Sequence, residues 1–343
     1  MAKYHYAAYG LHVCSEWPLV LPKADPRGSA DVLVGELSEN TELDAIIQGG
    51  TCISETPYRK HVRLADGGDY MQWFGQFEFI VSSNGRDLRA RRIGPGGSDH
   101  SFQAYLLAQA ISFCLLHQGL ESYHITVVEV GGAGLGLMGN CGAGKSSLAA
   151  SLIRRGGRLL TDDLLVVRSQ GEQLLASPGQ PWIKLFPEMG REALGSRADG
   201  VPMNSWTSKR IYLLEPHQYC PRAIPLSAIY SLDALDQAEA GPRPCLDRLP
   251  PREALLQLLR NTFNATVTTA GRLASQLGQA AAIAEAVPMR ALRYRRDVAQ
   301  LGALSEFVLE DFGRLTRVRV SQGCGGALAW SSGADSNLGA IGP

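Results

Sequence analysis

Residues 124–157 read HITVVEVGGAGLGLMGNCGAGKSSLAASLIRRGG, and this stretch decides the fold of the chain. Its centre, GNCGAGKS at 139–146, matches the pattern G-x-x-x-x-G-K-[ST] of phosphate-binding loops. Two apolar runs before the loop predict two short strands, and the run after it predicts a helix that ends at a glycine pair. Strand, glycine-rich loop and helix are the context that the motif requires, so the sequence predicts a nucleotide-binding α/β fold.

The residue types of the loop suit a phosphate. Glycine lets the backbone turn tightly and point successive N–H groups at an anion, and the amino end of the helix adds the positive end of its dipole. Lys145 is expected to place its ammonium on the β- and γ-phosphates of ATP, and Ser146 its hydroxyl on Mg²⁺. The predicted nucleotide-binding residues are Gly139, Asn140, Cys141, Gly142, Ala143, Gly144, Lys145, Ser146 and Ser147.

Two adjacent carboxylates, Asp162 and Asp163, follow the predicted helix at a break between two apolar runs. Phosphoryl transfer needs one carboxylate to hold Mg²⁺ and, when the acceptor is a hydroxyl, another to orient or deprotonate it. Neighbouring residues of a strand point to opposite faces, so both side chains reach one site only if the backbone turns there. The alternative interpretation is an ordinary Asp-Asp hairpin turn.

One further cation is a candidate for the site. Lys209 and Arg210 open a predicted strand, and we select Arg210 as a catalytic residue. A cation at this position would stabilise the charge that develops on the transferred phosphoryl group. The alternative is a surface pair of cations at the end of a strand.

From His124 to Val167 the sequence resembles the catalytic core of the HPr kinase/phosphorylase family of bacterial serine kinases. The resemblance rests on a His ahead of the loop, a glycine-rich hairpin, the loop itself, Arg-Gly after the helix, and RLLTDD at 158–163. A weaker likeness extends to about residue 312 and is shared with stand-alone HPr-kinase-like proteins found beside modified-peptide gene clusters, including lasso-peptide kinases. It implies an α/β fold with a P-loop kinase core of the HPr kinase C-terminal-domain type.

The resemblance also implies roles for the site residues. Asp162 would be the base that faces the acceptor hydroxyl, and Asp163 would support the metal or the phosphates. His124 would lie near the transferred phosphate; the alternative for it alone is a strand histidine with a structural role. The predicted metal ligands are Ser146, Asp162 and Asp163.

Departures from the family pattern concern the acceptor. Ser147 stands where the family has Glu after Lys-Ser, and Ile125 where it has Gly after the His. The second family signature, a glycine-rich loop with a metal-binding Glu, has no convincing counterpart in the sequence. These departures favour a stand-alone kinase of a serine in another protein or peptide, such as a ribosomally made precursor peptide. The sequence leaves open a small-molecule hydroxyl as acceptor, and a nucleotide-binding regulatory protein with little transferase activity.

The composition argues against several classes of partner. Lys plus Arg, 33, equals Asp plus Glu, 33, so no global charge attracts nucleic acid or an anionic membrane. We find no signal-peptide pattern and no apolar run long enough to span a bilayer. The 7 scattered cysteines lack C-x-x-C spacing and indicate neither a zinc site nor a disulfide framework. We expect a cytoplasmic enzyme whose partner is a protein or peptide bearing the acceptor serine; a homo-oligomer is left open.

The pattern along the chain predicts its domain organisation. Short alternating runs between glycine-containing turns predict an antiparallel sheet near the amino end, and a Pro- and Gly-rich stretch at 240–253 predicts a flexible connection. Helices are predicted at 251–260 and 271–286, and a late strand at 289–294. The four predicted parts are a β-rich N-terminal region at 1–100, a connecting helix at 101–119, a P-loop HPr-kinase-like catalytic domain at 120–320 and a flexible Gly/Ser-rich tail at 321–343.

Overall fold

The computed structural model of the chain describes residues 3–26, 28–38, 41–94, 98–194, 199–204, 206–235 and 243–323. Over these residues the chain forms three β-sheets that pack with α-helices into a mixed α/β structure rich in β-strands.

The N-terminal region forms an eight-stranded sheet. Its strands are β1 Tyr4–Ala8, β2 Leu11–Ser15, β3 Val32–Glu36, β4 Thr51–Glu55, β5 Arg59–Arg63, β6 Asp69–Trp73, β7 Phe77–Val81 and β8 Asp87–Arg92. They lie in the order β1-β2-β3-β8-β7-β6-β5-β4, and helix α1, Thr41–Gln48, connects β3 to β4. Alternate residues of β7, such as Phe77 and Phe79, are fully buried, as expected for a sheet with one face on a core.

A continuous helical segment joins this sheet to the rest of the chain. It consists of α2 Asp99–Tyr105, a π-helical turn Leu106–Ala110 and α3 Ile111–His117. The segment begins at Ser98, whose hydroxyl accepts the N–H of Ser101 as an N-cap. The sequence predicts the helix but not the π turn, because one wider turn hardly changes the spacing of the apolar residues.

The remaining strands form two further sheets. They are β9 Ser122–Tyr123, β10 Ile125–Val130, β11 Ala133–Met138, β12 Arg158–Thr161, β13 Leu165–Gln170, β14 Gln173–Ala176, β15 Trp182–Leu185, β16 Val201–Asn204, β17 Thr207–Leu213, β18 Ile224–Leu235, β19 Cys245–Arg248 and β20 Met289–Arg295. A three-stranded sheet has the order β15-β17-β16, and the other strands form one nine-stranded sheet. In that sheet β11, β18 and β20 are parallel neighbours, so their carboxyl ends meet at one edge.

Five helices complete the described structure. They are α4 Lys145–Arg154, α5 Pro187–Leu194, α6 Pro251–Arg260, α7 Ala270–Ala286 and α8 Leu301–Gly323, with short 3₁₀ turns at Pro216–Gln218 and Val298–Gln300. Helix α4 follows β11 and packs against α5 and α8, and its Leu148 and Leu152 share a core with Phe312 of α8. Within the described ranges, none of the helices combines the length and the apolar character needed to cross a membrane.

One expectation about the second half of the chain was wrong. The stretch predicted as a flexible connection contains β19, which pairs antiparallel with β20 and is held by that backbone ladder. Helix α8 extends to Gly323, and residues 324–343 of the predicted tail lie outside the described structure. Helices α6 and α7 and strand β20 coincide with the predicted elements.

The N-terminal sheet and the segment around the paired aspartates share one hydrophobic core. Phe77 of the sheet and Ile111 of the connecting helix belong to the same buried cluster as Leu164, Trp182 and Ile211. The burial of apolar surface is the main favourable contribution to folding, so this shared cluster fixes the N-terminal sheet against the candidate site.

Candidate functional site

Three glycines give the loop between β11 and α4 its shape. Gly139, Gly142 and Gly144 have φ of +148, +82 and +90°, a backbone region that favours glycine. A Cβ atom at Gly139 would lie 2.9 Å from the carbonyl oxygen of Leu232, and one at Gly144 would lie 2.6 Å from the hydroxyl oxygen of Tyr294. The loop therefore needs glycine both for its backbone conformation and for its close packing.

Lys145 lies at the start of α4 with its ammonium turned back over the loop. Its Nζ donates to the carbonyl oxygens of Gly139, at 2.7 Å, and Asn140, at 3.3 Å. Burial lowers the pKa of Lys145, and the negative charges of Asp163 and Asp162 oppose that shift. The ammonium of Lys145 is thus held at the mouth of the loop, where a bound phosphate would replace the two carbonyl oxygens as its partner.

The paired aspartates occupy the turn between β12 and β13. Asp163 has a φ of +69°, in the left-handed region, and the N–H of Leu164 donates to the carbonyl oxygen of Asp162 at 3.0 Å. Thr161 closes the turn, because its hydroxyl donates to the carbonyl oxygen of Leu164 at 2.8 Å. The backbone reverses at the aspartates, which is the condition for both side chains to serve one site.

Asp162 is fully buried and faces the loop. Its Oδ1 accepts hydrogen bonds from the hydroxyls of Thr126, at 2.9 Å, and Ser146, at 3.2 Å. Its Oδ2 accepts the backbone N–H of Lys184 at 3.0 Å. Burial, together with the neighbouring charge of Asp163, raises the pKa of Asp162 to about 6. The carboxylate therefore sits beside the serine that is expected to hold Mg²⁺.

Asp163 points the other way and is one-fifth exposed, with 21% of its side chain accessible. Its Oδ2 lies 2.5 Å from Nζ of Lys184, and its Oδ1 lies 3.6 Å from Nε2 of His124. Burial opposes ionisation of Asp163, but the charges of Lys184 and then His124 outweigh it and hold the pKa of this carboxyl well below its usual range. Burial also lowers the pKa of His124, and the negative charge of Asp163 opposes that shift.

These side chains line one small cavity of about 80 Å³ in front of the loop. Its volume suits a phosphoryl group better than a whole nucleotide. The residues that line it are His124, Cys141, Gly142, Gly144, Lys145, Ser146, Ser147, Asp163, Lys184, Leu185, Phe186 and Lys209. Asp162 lies just behind the wall, and Gly139, Asn140 and Ala143 shape the loop through backbone carbonyl groups.

Arg210 does not line the cavity, so its selection as a catalytic residue stays a prediction that this geometry does not support. Its Nε donates to the carbonyl oxygen of Gly200 at 3.0 Å. Side chains alternate between the two faces of a strand, so the neighbouring Lys209 faces the cavity instead. The ammonium of Lys209 also lies 5.5 Å from the ring centroid of Phe186.

The sequence analysis missed Lys184. This residue stands in β15, where all four residues are buried, and it forms the closest ion pair with Asp163. A signal was present, because a lysine within the apolar run WIKLF must find a charged partner if the strand is buried.

A second set of contacts braces the aspartate turn from behind. The Gln180 side chain donates to the backbone carbonyl oxygen of Asp162 at 2.9 Å and accepts the hydroxyl of Tyr9. Tyr9 is completely buried, has a φ of +56° and donates its N–H to the carbonyl oxygen of Pro178 at 2.7 Å. The hairpin between β1 and β2 therefore reaches the back of the candidate site.

The donors around the loop fit Mg²⁺. Proteins hold this ion through one or two carboxylates, and water and substrate phosphates supply its other ligands. The hydroxyl of Ser146, which lines the cavity, donates to the carboxylate of Asp162 at 3.2 Å. Asp163, on the same turn, is engaged by Lys184.

Comparison with known proteins finds the same segment. The family HPr Serine kinase C-terminal domain matches residues 118–190. The HPr kinase/phosphorylase of Chloroherpeton thalassium is 41% identical over 69 residues, which are 20% of this chain and 20% of the relative. That of Exiguobacterium sp. is 33% identical over 82 residues, 24% of each chain.

A solved structure is also similar. That of the Hpr(Ser) kinase/phosphatase from Coxiella burnetii is 13% identical, with a TM-score of 0.31, and the match covers 58% of this chain and 98% of the other. The present chain spans about a fifth of the length of the curated relatives it matches. Through residues 118–190, which hold His124, the glycine-rich loop and the aspartate turn, the chain is HPr-kinase-like.

Proposed function

We propose that the chain is an ATP- and Mg²⁺-dependent kinase that transfers the γ-phosphate of ATP to a serine hydroxyl of a protein or peptide. One observation carries the proposal. The turn that holds Asp162 and Asp163 is packed against the glycine-rich loop, with Asp162 beside Ser146 and Asp163 in the cavity that Lys145 also lines. A phosphate-binding loop alone serves many functions, but two carboxylates placed in this way suit transfer to a hydroxyl.

At the phosphate end, the loop and Lys145 bind the nucleotide. The ammonium of Lys145 leaves the loop carbonyl oxygens for the β- and γ-phosphates, and the backbone N–H groups at the start of α4 donate to the same anion. Ser146 and Asp162 would hold Mg²⁺, and the ion would neutralise negative charge on the phosphates. This gives Asp162 the role that the resemblance assigned to Asp163, because the carboxylate of Asp162 accepts the hydroxyl of Ser146.

At the acceptor end of the site, Asp163 binds the hydroxyl of the acceptor serine. Its carboxylate accepts the hydrogen bond of the hydroxyl and takes the proton as the bond from serine oxygen to γ-phosphorus forms. The bond from that phosphorus to the bridging oxygen breaks, and ADP leaves. The low pKa of Asp163 makes it a weak base, so its main contribution is to orient the hydroxyl, which is what a loose transition state demands. Lys184 and Lys209 stabilise charge on the transferred group.

A polypeptide acceptor, such as a ribosomally made precursor peptide, is favoured by apolar surface at the cavity. Phe186 lines the cavity and is 47% exposed. Trp206, the residue before the strand that carries Lys209, is also exposed, and its ring lies 5.4 Å from that of Tyr58 between centroids. Exposed aromatic side chains are enriched where proteins bind other polypeptides.

The test is phosphate transfer by the full chain. We would incubate it with γ-labelled ATP, Mg²⁺ and two kinds of acceptor, HPr and the short peptides encoded beside its gene, and record intact masses. The expected result is one phosphate added to a serine, abolished in Lys145→Ala and retained in Lys60→Ala, whose lysine lies in the N-terminal sheet. Tight ATP binding without transfer to any acceptor would favour the regulatory alternative.

A further inference from the structure

A second cavity, of about 350 Å³, lies where β20 passes into α8. This volume falls within the range of about 300–1,000 Å³ that is typical of small-molecule sites. The residues on which the argument rests are Tyr294, Arg295, Asp297, Ala303, Leu304 and Phe307.

The sheet places this cavity beside the phosphate-binding loop. Strands β11, β18 and β20 are parallel neighbours, the loop follows β11, and the cavity follows β20 at the same edge. Neighbouring strands lie about 4.8 Å apart, so the two sites are separated by roughly 10 Å across the sheet. The carboxyl ends of parallel strands are where open α/β sheets bind their ligands.

One side chain joins the two sites directly. Tyr294 lines the cavity, and its hydroxyl donates to the carbonyl oxygen of Ala143 in the loop. The same hydroxyl is the atom that a Cβ at Gly144 would meet, so the loop packs directly on this residue. A molecule that extends from the loop along Tyr294 enters the second cavity.

The two cavities differ in chemistry. The 80 Å³ cavity at the loop is lined by three lysines and Asp163, whereas the second has apolar walls from Leu304, Phe307 and Ala303. Polar groups also line it, among them Asp297 and Arg295, whose Nε is a buried nitrogen without a hydrogen-bond partner among the described residues. Apolar faces combined with a few polar groups suit a flat heterocycle that carries nitrogen atoms at its edge.

We propose that this second cavity binds the nucleobase of the nucleotide whose phosphates occupy the loop. The inference rests on the proposed nucleotide-binding function and adds where the base lies. Tyr294 and Phe307 supply aromatic surface for the base, and α8, which the sequence analysis did not predict, supplies the far wall.

The experiment distinguishes binding of the nucleobase from binding of the phosphates. Ala303 is an exposed residue on α8 that lines the cavity, so Ala303→Trp fills the cavity without disturbing buried core. The affinities for Mg²⁺-ADP and for Mg²⁺-tripolyphosphate are measured by calorimetry. The expected result is a loss of about tenfold or more in ADP affinity, with tripolyphosphate affinity unchanged. Ala299→Trp, exposed on the preceding 3₁₀ turn and outside the cavity lining, should bind both ligands as the wild type does.

Three outcomes would overturn the inference: unchanged ADP affinity in folded Ala303→Trp, an equal loss for both ligands, or a wild type that binds the two ligands equally. If Ala303→Trp does not fold, Phe307→Ala removes an aromatic wall and is read by the same two affinities. A wild type that binds neither ligand would instead reject the proposed function itself.

Discussion

The hydroxyl of Ser146 lies 3.2 Å from Oδ1 of Asp162, so the end of the phosphate-binding motif and the aspartate turn meet within hydrogen-bond distance. The two residues come from different elements, the helix after the loop and the turn after β12. The hydrogen bonds from Thr126 and from the N–H of Lys184 fix the same carboxylate. Asp162 is therefore rigidly placed beside the serine, as a metal ligand requires.

The raised pKa of Asp162, about 6, predicts a pH dependence of metal-assisted binding. Below this pH the carboxyl is protonated and no longer holds a cation, so the gain in ADP affinity on adding Mg²⁺ should shrink as the pH falls through about 6. Calorimetry from about pH 5 to about pH 8, with Mg²⁺ or with EDTA, measures this gain. Asp162→Asn should show little gain at any pH; a wild-type gain independent of pH would contradict the prediction.

The same pKa predicts how Asp162 affects stability. An aspartate in the unfolded chain has a pKa of about 3.9, so the folded state binds this proton more tightly. The contribution of Asp162 should therefore make the fold more stable as the pH falls from about 6 to about 4. The contribution of Asp163 to stability has the opposite dependence on pH. Because its pKa is lowered in the folded state, Asp163 stabilises the fold at pH values above its unfolded pKa, and this stabilisation is lost as the pH falls. Urea unfolding of the wild type and of Asp162→Asn at about pH 6 and about pH 4 isolates the contribution of Asp162. The variant should lack this contribution.

Asn variants at the two aspartates should separate metal binding from transfer. Asp163→Asn keeps the shape of the turn but removes the group that orients the acceptor, so turnover should fall by roughly 10²–10⁴-fold while Mg²⁺-ADP affinity changes little. Asp162→Asn should weaken Mg²⁺-ADP binding itself. Kinetics at saturating nucleotide, with melting temperatures as a check on folding, give the comparison. If Asp162→Asn instead lowers turnover and Asp163→Asn weakens Mg²⁺-ADP binding, Asp162 is the base and Asp163 supports the metal, as the family resemblance implies.

Lys184→Met should destabilise the protein by about 2–4 kcal/mol, because it leaves the carboxylate of Asp163 without its closest cation. The lower part of that range is expected, since 21% of the Asp163 side chain is exposed. Urea unfolding measures the loss, and adding Asp163→Asn should restore part of it. The control is Arg155→Ala, whose pair with the exposed Glu306 should contribute at most about 1 kcal/mol. Equal losses in the two single variants would refute the assignment.

Tyr9→Phe should lower both stability and turnover. Loss of the hydroxyl leaves the buried Gln180 oxygen without this donor, at a cost of about 1–3 kcal/mol, and loosens the contact that braces Asp162. Tyr6→Phe is the matched control, because Tyr6 is also buried and its hydroxyl accepts the N–H of Leu19. Both variants should unfold at lower urea concentration, but only Tyr9→Phe should reduce kcat. A normal kcat in Tyr9→Phe would show that the brace is merely structural.

The parts of the site that the sequence predicts are those set by local geometry. The spacing of the glycines predicts the backbone conformation of the loop, and the break between two apolar runs predicts the turn at Asp162 and Asp163. The pattern located the strand but not which of two adjacent cations faces the cavity, and the structure places Lys209 there rather than Arg210. The direction in which each aspartate points depends on the left-handed φ of Asp163. Such a φ could not be predicted from the sequence, because the residue is not a glycine.

The contacts that the sequence could not predict join residues far apart in the chain. Tyr9 and Gln180 meet only because the first hairpin folds onto the loop after β14. Lys184 carried a signal in its apolar surroundings, but its partner, Asp163, lies in a separate turn that meets β15 only in the folded chain. Tertiary packing determines these contacts, and no periodicity along the chain records them.

The buried tyrosine of the first hairpin sets a lower limit on the size of a working catalytic unit. The segment 118–190 contains the loop and both aspartates, yet Tyr9 lies outside it. A chain trimmed to begin at 118 would lose this hydroxyl and expose Leu164 and Trp182 to water. Under the proposed function, residues 118–190 hold the groups assigned to the chemistry, and we expect the opening strands to supply part of the rigidity of the aspartate turn.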